Sequence, residues 1–326
     1  MKNKFYVGVD VGGTKIAAGL VTNSGRIVTW AKTSTIMNAK PAQIAHQIKG
    51  VINEVIYEAK INRSQIKGIG MGVPGVVSPD QKSILITPNI NLSKFPLVER
   101  LKRSFPVPIY LGNDVNLGLL GEKWLGVARR TKNVVGIFPG TGVGGAIIID
   151  NKLVLGVNGA AAELGHMIID YNSSENSAGV YGSLEALASR RAIERSIRSA
   201  IKKGKKSIVR KLTGGNLKVI KSKVLREALK KKDKVVIGVM EDVAQVLGKA
   251  SISLRHIFNP EMIVFGGGVV EACADFLIPR IREVSQSDPF FKNIDSCQIV
   301  QSELGDDAIV LGAVALVKQI TSAKSK

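Results

Sequence analysis

Short runs of alternating apolar and polar residues open the chain. They cover residues 5–10 (FYVGVD), 16–22 (IAAGLVT) and 26–32 (RIVTWAK), with glycine-containing turns between them. This pattern predicts three strands in an antiparallel meander. From Pro41 to Ile56 apolar residues recur every three or four positions, which predicts an amphipathic helix. Strand-like runs return at 66–73 and 107–112, and strands that return after a helix are typical of the α/β class.

The same order of elements begins again near residue 133. A strand at 134–138, a glycine-rich turn at 139–145 and a return strand at 146–150 repeat the opening pattern, with a third short strand at 153–156. Two such copies predict a duplicated core, in two similar α/β lobes that hold a ligand between them. Beyond these elements the chain is predicted to be mostly helical, and a strand that begins at Met262 leads into a further helix. Helices are predicted at 184–203, 221–232, 235–258 and 307–320.

Length and composition narrow the class of protein. A chain of 326 residues fits two domains or one large α/β unit, and 45% hydrophobic with 22% charged residues excludes disordered and collagen-like chains. No apolar run reaches the roughly 18 residues of a membrane span, and no signal-peptide segment precedes the first strand. We therefore expect a cytoplasmic protein with no membrane partner. Two cysteines, Cys273 and Cys297, are too few for a disulfide framework or a four-thiolate metal site.

The net charge of +20 is concentrated in one segment. Residues 190–234 contain 18 Lys and Arg against three acidic residues. The segment has helical apolar spacing and lacks the interleaved aromatic residues of a single-strand nucleic-acid platform. These features favour a solvated helical surface, with a polyanion contact as the alternative. A nucleic-acid partner is not expected.

Three glycine-rich turns follow predicted strands, at 10–15 (DVGGTK), 140–145 (GTGVGG) and 266–268 (GGG). Glycine lets backbone N–H groups approach an anion closely, and Thr14 and Thr141 add hydroxyl donors, so each turn is a candidate phosphate site. The second turn matches the G-x-G-x-x-G pattern of dinucleotide-binding folds. A strand rather than a helix is predicted after it, which excludes that fold. The P-loop pattern and the landmark motifs of protein kinases are absent as well.

Polar residues near the ends of predicted strands are candidates for chemistry. Asp10 ends the first strand beside a glycine turn, where a carboxylate can hold the Mg²⁺ of a bound nucleotide or merely cap the turn. Asp114 follows the strand at 107–112, where it could accept a proton from a substrate hydroxyl or act as the N-cap of the next helix. Other polar side chains could accept hydrogen bonds from the hydroxyl groups of a sugar or donate hydrogen bonds to them. These are Asn113, Glu163, His166 and Glu185.

Taken together, these segments resemble the motifs of the ROK family of bacterial sugar kinases and repressors, and the likeness covers nearly the whole chain. The resemblance implies an α/β, two-lobed actin-like ATPase/sugar kinase fold (ribonuclease H-like) with a duplicated core. It also implies an N-terminal lobe of residues 1–117, with the C-terminal helix 305–326 packing back on it, and a larger lobe of 118–304. The matching segments are DVGGTK (10–15), GNDVN (112–116), FPGTGVGG (138–145), NGAAAELGH (158–166) and FGGG (265–268).

The resemblance also implies roles for individual residues. Asp114 would be the general base that takes the proton of the attacking sugar hydroxyl. The sugar would be bound by Gly75, Asn89, Asn113, Glu163, His166 and Glu185. The phosphates of ATP would be bound by Asp10, through Mg²⁺, and by Gly12, Gly13, Thr14, Lys15, Thr141 and Gly142, with Gly267 on the adenosine side.

One segment departs from the family pattern. Many members carry C-x-C-G-x-x-G-C, a structural zinc site, after the histidine, and here the three cysteine positions are Asn176, Ala178 and Ser183. His166 alone cannot hold Zn²⁺, which takes four N or S ligands, so we expect no zinc site.

The resemblance implies an ATP-dependent hexose kinase of the glucokinase type, with ATP and Mg²⁺ as cofactors and glucose as the first expectation. N-acetylmannosamine, N-acetylglucosamine and fructose are alternative substrates, and polyphosphate is an alternative donor. A sugar-sensing regulator is the alternative outside the enzymes; the intact Asp10, Asn113 and Asp114 disfavour it. A repressor is not expected, because no helix-turn-helix precedes the first phosphate motif. We expect a homodimer or a higher homo-oligomer.

Overall fold

The computed structural model describes residues 4–294 and 296–323. Its strands are β1 (Phe5–Val11), β2 (Lys15–Thr22), β3 (Ile27–Ser34), β4 (Ile66–Val73), β5 (Val76–Val77), β6 (Ile84–Ile86), β7 (Ile109–Asn113), β8 (Val134–Pro139), β9 (Val143–Ile149), β10 (Lys152–Leu153), β11 (Asn176–Ser177), β12 (Val180–Tyr181), β13 (Met262–Phe265) and β14 (Gln298–Gln301). Its α-helices are α1 (Pro41–Glu58), α2 (Leu97–Lys102), α3 (Asp114–Trp124), α4 (Leu184–Ala188), α5 (Arg190–Lys202), α6 (Val209–Leu212), α7 (Ser222–Lys230), α8 (Lys234–Phe258), α9 (Gly268–Gln286) and α10 (Ala308–Ala323). None of the helices in the described part of the chain is long and apolar enough to cross a membrane.

Contacts between residues divide the chain into two units. The first contains residues 1–130, 152–162 and 306–326, and the second contains 131–151 and 163–305. The lobe boundary predicted at residue 117 falls within α3, and the predicted lobes 1–117 and 118–304 stay a prediction.

A mixed five-stranded sheet forms the centre of the first unit, in the order β3-β2-β1-β4-β7. β1, β2 and β3 pair antiparallel, which confirms the predicted meander. β4 lies parallel to β1, and β7 lies parallel to β4. Helix α1 packs on β2 and β3 through its buried apolar stripe, which the three- and four-residue spacing predicts.

Glycines let α10 pack closely within the first unit. α10 lies against α3, β1 and β4. A Cβ on Gly8 of β1 would overlap the carbonyl oxygen of Val310, and a Cβ on Gly70 of β4 would overlap that of Ala313. Backbone therefore meets backbone at these crossings, and larger residues would push α10 off the sheet.

The second unit repeats the plan of the first. Its strands β9, β8, β13 and β14 are neighbours in the same order as β2, β1, β4 and β7. β8 and β9 pair antiparallel, while β13 lies parallel to both β8 and β14. The predicted duplication of a strand, glycine turn and return strand is thus confirmed.

Three predicted element bounds were wrong. β9 begins at Val143 rather than residue 146, so Gly144 and Gly145 are strand residues, paired with Phe138 and Ile137. The third strand of the repeat is only Lys152–Leu153. The helix predicted over 184–203 is broken at Ser189, which is extended and caps α5 by accepting a hydrogen bond from the Ala192 N–H at 3.2 Å.

Candidate functional site

The first glycine turn, between β1 and β2, places a carboxylate beside backbone donors. The Gly12 N–H donates to the Lys15 carbonyl at 2.8 Å, and the Thr35 hydroxyl donates to the Gly12 carbonyl at 2.7 Å. Thr14 lies exposed in the turn, and its carbonyl accepts from the Thr35 N–H at 3.0 Å. The turn is thereby held to the start of the β3–α1 connection.

Asp10 has an unusual proton affinity. The group is only partly exposed, and burial raises the pKa of Asp10 from 3.8 to about 6; the Lys15 charge lowers it and the Asp306 charge raises it. Lys15 lies 3.8 Å from the Asp306 carboxylate, so its ammonium group interacts with the carboxylates of both Asp10 and Asp306. A bound cation would stabilise the charged form of this Asp10 carboxylate, because burial has removed part of its hydration.

The strand register brings the predicted residues of the first unit to one edge. Asp10 of β1 pairs with Gly72 of β4, which pairs with Gly112 of β7. Because parallel strands end at the same edge, Asn113 and Asp114 follow on the same side as Asp10.

Asn113, not Asp114, is the N-cap of α3. Its Oδ1 accepts from the Asn116 N–H at 3.0 Å, and its Nδ2 donates to the Gly75 carbonyl at 2.9 Å. Gly75 has φ +100°, and a Cβ there would overlap the Ile86 carbonyl oxygen, so glycine is required. The Asp114 carboxylate accepts from the N–H of Val115 at 2.9 Å. Of the two roles open to Asp114, capping is therefore performed by its neighbour.

Asn89 belongs to the same edge of the first unit. Its carbonyl oxygen would lie 3.2 Å from a Cβ at Gly13, so the two residues are adjacent. Both line a cavity of about 480 Å³ with uncharged polar neighbours, among them Thr35, Asn38 and Ser93. Hydroxyl and amide groups of this kind can bind sugar hydroxyls.

The second glycine turn, between β8 and β9, is fastened by the α4–α5 segment. The Gly140 N–H donates to the Gly142 carbonyl at 2.8 Å, and the Gly140 carbonyl accepts from the Arg190 N–H at 2.9 Å. The Arg190 guanidinium donates to the Thr141 hydroxyl at 3.0 Å. Glu185 Oε2 accepts from the Val143 N–H at 2.9 Å, and Glu185 would overlap any Cβ on Gly142. Glycine at 142 therefore leaves room for this carboxylate.

The third turn lies beside the second. Gly267 has φ +78° and is the N-cap of α9. The Gly266 N–H donates to the Ile137 carbonyl at 3.1 Å, and a Cβ on Gly267 would lie 2.8 Å from the Pro139 carbonyl. Two of the three predicted phosphate turns thus meet at the end of β8.

Glu163 is the N-cap of a short 3₁₀ helix, Leu164–His166, and His166 is the last residue of that helix. The His166 N–H donates to the Glu163 carbonyl at 3.0 Å, and both side chains are exposed. The Gly165 position touches the Val143 backbone, so this segment packs against β9, directly after the second turn.

Comparison with known proteins decides the family. The model of the ROK family matches residues 6–320. The chain belongs to the ROK family. It is 32% identical over 316 residues to a glucokinase of Thermotoga maritima, with 96% of this chain and 97% of that protein covered. It is also 30% identical to a xylose repressor of Caldicellulosiruptor bescii, with 95% of this chain and 77% of that protein covered.

A solved structure agrees with the fold. The ROK family glucokinase of Streptomyces griseus, in complex with glucose and AMPPNP, superposes with a TM-score of 0.81 at 28% identity, covering 97% of this chain and 99% of that one. The predicted α/β actin-like sugar kinase fold of this ROK protein is confirmed.

The three cysteine positions of the family's zinc motif have other structural roles in this ROK protein. Asn176 Oδ1 accepts from the Gly179 N–H at 3.2 Å and closes the β11–β12 hairpin. Ala178 lies in that turn with φ +50°, and Ser183 is the N-cap of α4. Among residues 4–294 and 296–323, no group of three or more His, Cys, Asp or Glu is placed to hold a metal ion. The absence of zinc from the protein stays a prediction.

Two residues at the second turn were missed by the sequence reasoning. The Ser177 hydroxyl donates a hydrogen bond to Glu185 Oε1, and Arg190 contacts Thr141 and Gly140. Arg190 lies inside the basic segment that charge counting treats as a surface. Ser189 was a signal only for the break before α5, since serine is a favoured N-cap residue.

Proposed function

We propose that this ROK protein is an ATP-dependent hexose kinase that phosphorylates the 6-hydroxyl of glucose. The observation that carries the proposal is the arrangement of Gly75, Asn113 and Asp114 at the edge of the sheet, in which Asn113 caps α3 and the Asp114 carboxylate accepts from the Val115 N–H. Support comes from the glucokinases among its relatives, at 32% identity in the case of Thermotoga maritima.

Asp114 acts as the general base in this proposal. The sugar hydroxyl oxygen forms a bond to the γ-phosphorus of ATP while the bond from that phosphorus to the β–γ bridging oxygen breaks. ADP leaves with the electron pair of the broken bond, and the hydroxyl proton passes to the Asp114 carboxylate. Such catalysis is mostly positioning and charge stabilisation, and a base contributes about 10²- to 10⁴-fold.

The residues present fit a magnesium nucleotide. The partly buried Asp10 carboxylate, with its raised pKa, offers the oxygen ligand or water contact that Mg²⁺ prefers. Mg²⁺ supplies neutralisation of phosphate charge when it is bound. The backbones and side chains that would bind phosphate are those of Gly12, Gly13, Thr14, Lys15, Thr141 and Gly142, with Gly267 toward the adenosine.

The proposed sugar ligands are those that the family resemblance implies. They are Gly75, Asn89, Asn113, Glu163, His166 and Glu185. Glu185 already accepts from Val143 and Ser177, so a sugar hydroxyl would add a further hydrogen bond to a carboxylate whose position is set.

A sugar panel with an Asp114→Asn variant tests the proposal. Purified protein is assayed on glucose, N-acetylmannosamine, N-acetylglucosamine, fructose and mannose, with ATP and Mg²⁺ or with polyphosphate. Asp114→Asn keeps the size but removes the proton acceptor, so kcat on the best sugar should fall by about 10² or more with little change in sugar affinity. Asp242→Asn, an exposed change on α8, is the matched control and should keep wild-type turnover. Near-normal turnover by Asp114→Asn would refute the base assignment.

A sugar-sensing regulator is the second candidate, favoured by the 30% identity to a xylose repressor. Such a protein would bind a sugar in calorimetry without transferring phosphate from any donor. Turnover in the wild type excludes this candidate.

A further inference from the structure

Arg190 reaches the second glycine turn with both its backbone and its side chain. Its N–H donates to the Gly140 carbonyl at 2.9 Å, and its guanidinium donates to Thr141 Oγ1 at 3.0 Å. The break between α4 and α5 at Ser189 makes this possible, because a continuous helix would keep the Arg190 N–H for its own hydrogen-bond ladder. A permanent cation is therefore fixed at a turn proposed to bind phosphate.

The guanidinium has capacity to bind a further ligand. Arginine carries several N–H donors in a planar fork, and the bond to Thr141 uses one. The Glu194 carboxylate oxygen Oε1 is 3.9 Å from the Arg190 Nε, which is beyond hydrogen-bond distance. The Arg190 side chain is 24% exposed, so a bound phosphate can reach it while the contact with Thr141 fixes its position.

The charges around this turn are partly paired. The buried Glu194 is shared between Arg190, at 3.9 Å, and Arg198, at 3.5 Å, and the Glu185 carboxylate accepts from the Val143 N–H of the turn. Arg190 is a cation in direct contact with the turn, through the Thr141 hydroxyl and the Gly140 carbonyl.

We propose that Arg190 is a phosphate-binding residue that contacts the terminal phosphates of the donor, alongside the N–H groups of the second turn. The proposal rests on the proposed kinase function and extends it to a residue of the basic segment. A planar guanidinium can bind two phosphate oxygens at once, and its charge stabilises the negative charge that grows on the departing diphosphate. The recognised chemistry is a phosphoanhydride chain, which ATP and inorganic polyphosphate share.

Direct binding of a graded series of ligands tests this role. Calorimetry measures AMP, ADP and ATP, each with Mg²⁺, and inorganic tripolyphosphate, on wild type, Arg190→Gln and Arg190→Lys. Loss of a charge-assisted hydrogen bond should weaken ATP binding about tenfold or more in Arg190→Gln. AMP lacks the terminal phosphates, so its affinity should stay within about twofold. Arg190→Lys keeps the charge without the fork and should lie between the two. If Arg190→Gln weakens the binding of tripolyphosphate and of ATP by similar factors, Arg190 recognises the phosphate chain itself. If it weakens only the binding of ATP, Arg190 contacts phosphates only when they belong to the nucleotide.

The neighbouring arginine provides the matched control. Arg191 is exposed and carries the same charge in the same segment, so Arg191→Gln should bind all four ligands as the wild type does. Thermal unfolding by circular dichroism checks that each variant is folded. Equal losses for AMP and ATP would assign Arg190 to holding the turn only, and unchanged ATP binding would also overturn the proposal. If the wild type binds ATP but phosphorylates no sugar, the kinase function fails while this comparison still decides the role of Arg190.

Discussion

Replacing Asp10 with asparagine should make the ligand-free protein more stable and at the same time abolish its use of magnesium nucleotide. Burial raises the pKa of Asp10 from 3.8 to about 6, which means that the folded protein resists charging this group. At about 1.36 kcal/mol for each pKa unit, the cost of the charge is about 3 kcal/mol at neutral pH. Because the group is partly exposed, we expect Asp10→Asn to recover about 1 to 3 kcal/mol of unfolding free energy.

The pH dependence has a definite sign. Between the pKa of 3.8 in the unfolded chain and about 6 in the folded one, the folded state binds more protons. The unfolding free energy of the wild type therefore falls as the pH rises through this window, and the contribution of this group is constant above it. Asp10→Asn lacks this titration, so the difference between the two proteins should grow from near zero at about pH 4 to its full value near pH 7.

Urea denaturation across this pH range measures the effect on stability, with Asp242→Asn as the control for an exposed carboxylate-to-amide change.

Calorimetry measures the effect on nucleotide binding. The affinity of the wild type for ATP with Mg²⁺ should weaken below about pH 6, as Asp10 takes up its proton. Lower stability of Asp10→Asn at neutral pH, or an unchanged pH slope, would refute the electrostatic reasoning. Full Mg²⁺-dependent binding in the variant would refute the metal role instead.

Three further predictions address the supports of the site. Ser177→Ala removes the hydroxyl that orients Glu185, so the sugar KM should rise about tenfold with kcat less affected, whereas the exposed Ser174→Ala should change neither value. Gly70→Ala forces a Cβ against the Ala313 carbonyl and should lower the unfolding free energy by about 1 to 3 kcal/mol. The control Gly50→Ala, in open space on α1, should raise the unfolding free energy by about 0.5 to 1 kcal/mol. Similar changes for both variants in urea denaturation would contradict the close packing of α10. Protein purified without added metal should contain no stoichiometric zinc and should melt at the same temperature with a chelator, and bound zinc or a large chelator effect would disprove the interpretation of residues 176–183.

The sheets were predictable from the sequence because their signals are local. Alternating apolar residues and glycine turns determine β1, β2 and β3, and the second copy of the pattern determines β8 and β9. The break at Ser189 was not predictable from periodicity, because apolar residues keep helical spacing on both sides of it. A serine within such a run can be an interior residue or a cap, and only the contact with Gly140 selects the cap.

The candidate site was predictable in part. Asp10 and Asp114 follow from their places at strand ends, but Asn113 and Asp114 are both good N-caps, so local sequence leaves the capping residue open. The hydrogen bond from Asn113 to Gly75, which is 38 positions away, resolves it. The contact between Arg190 and Thr141 spans 49 positions and leaves no pattern in composition or periodicity. Residues that act through such distant contacts require the folded structure.

The close seating of α10 on β1 and β4 has a consequence for how the protein is made. β1 is translated before the second unit, whereas α10, which covers Gly8 and Gly70, is translated after it. Most of the second unit is one continuous segment, residues 163–305, and is complete before α10 appears. Because domains tend to fold as units during synthesis, the second unit can form its core first. Until α10 is synthesised, one face of the sheet of the first unit remains exposed to solvent. The late synthesis of α10 therefore leaves that face of the sheet accessible to chaperones during translation.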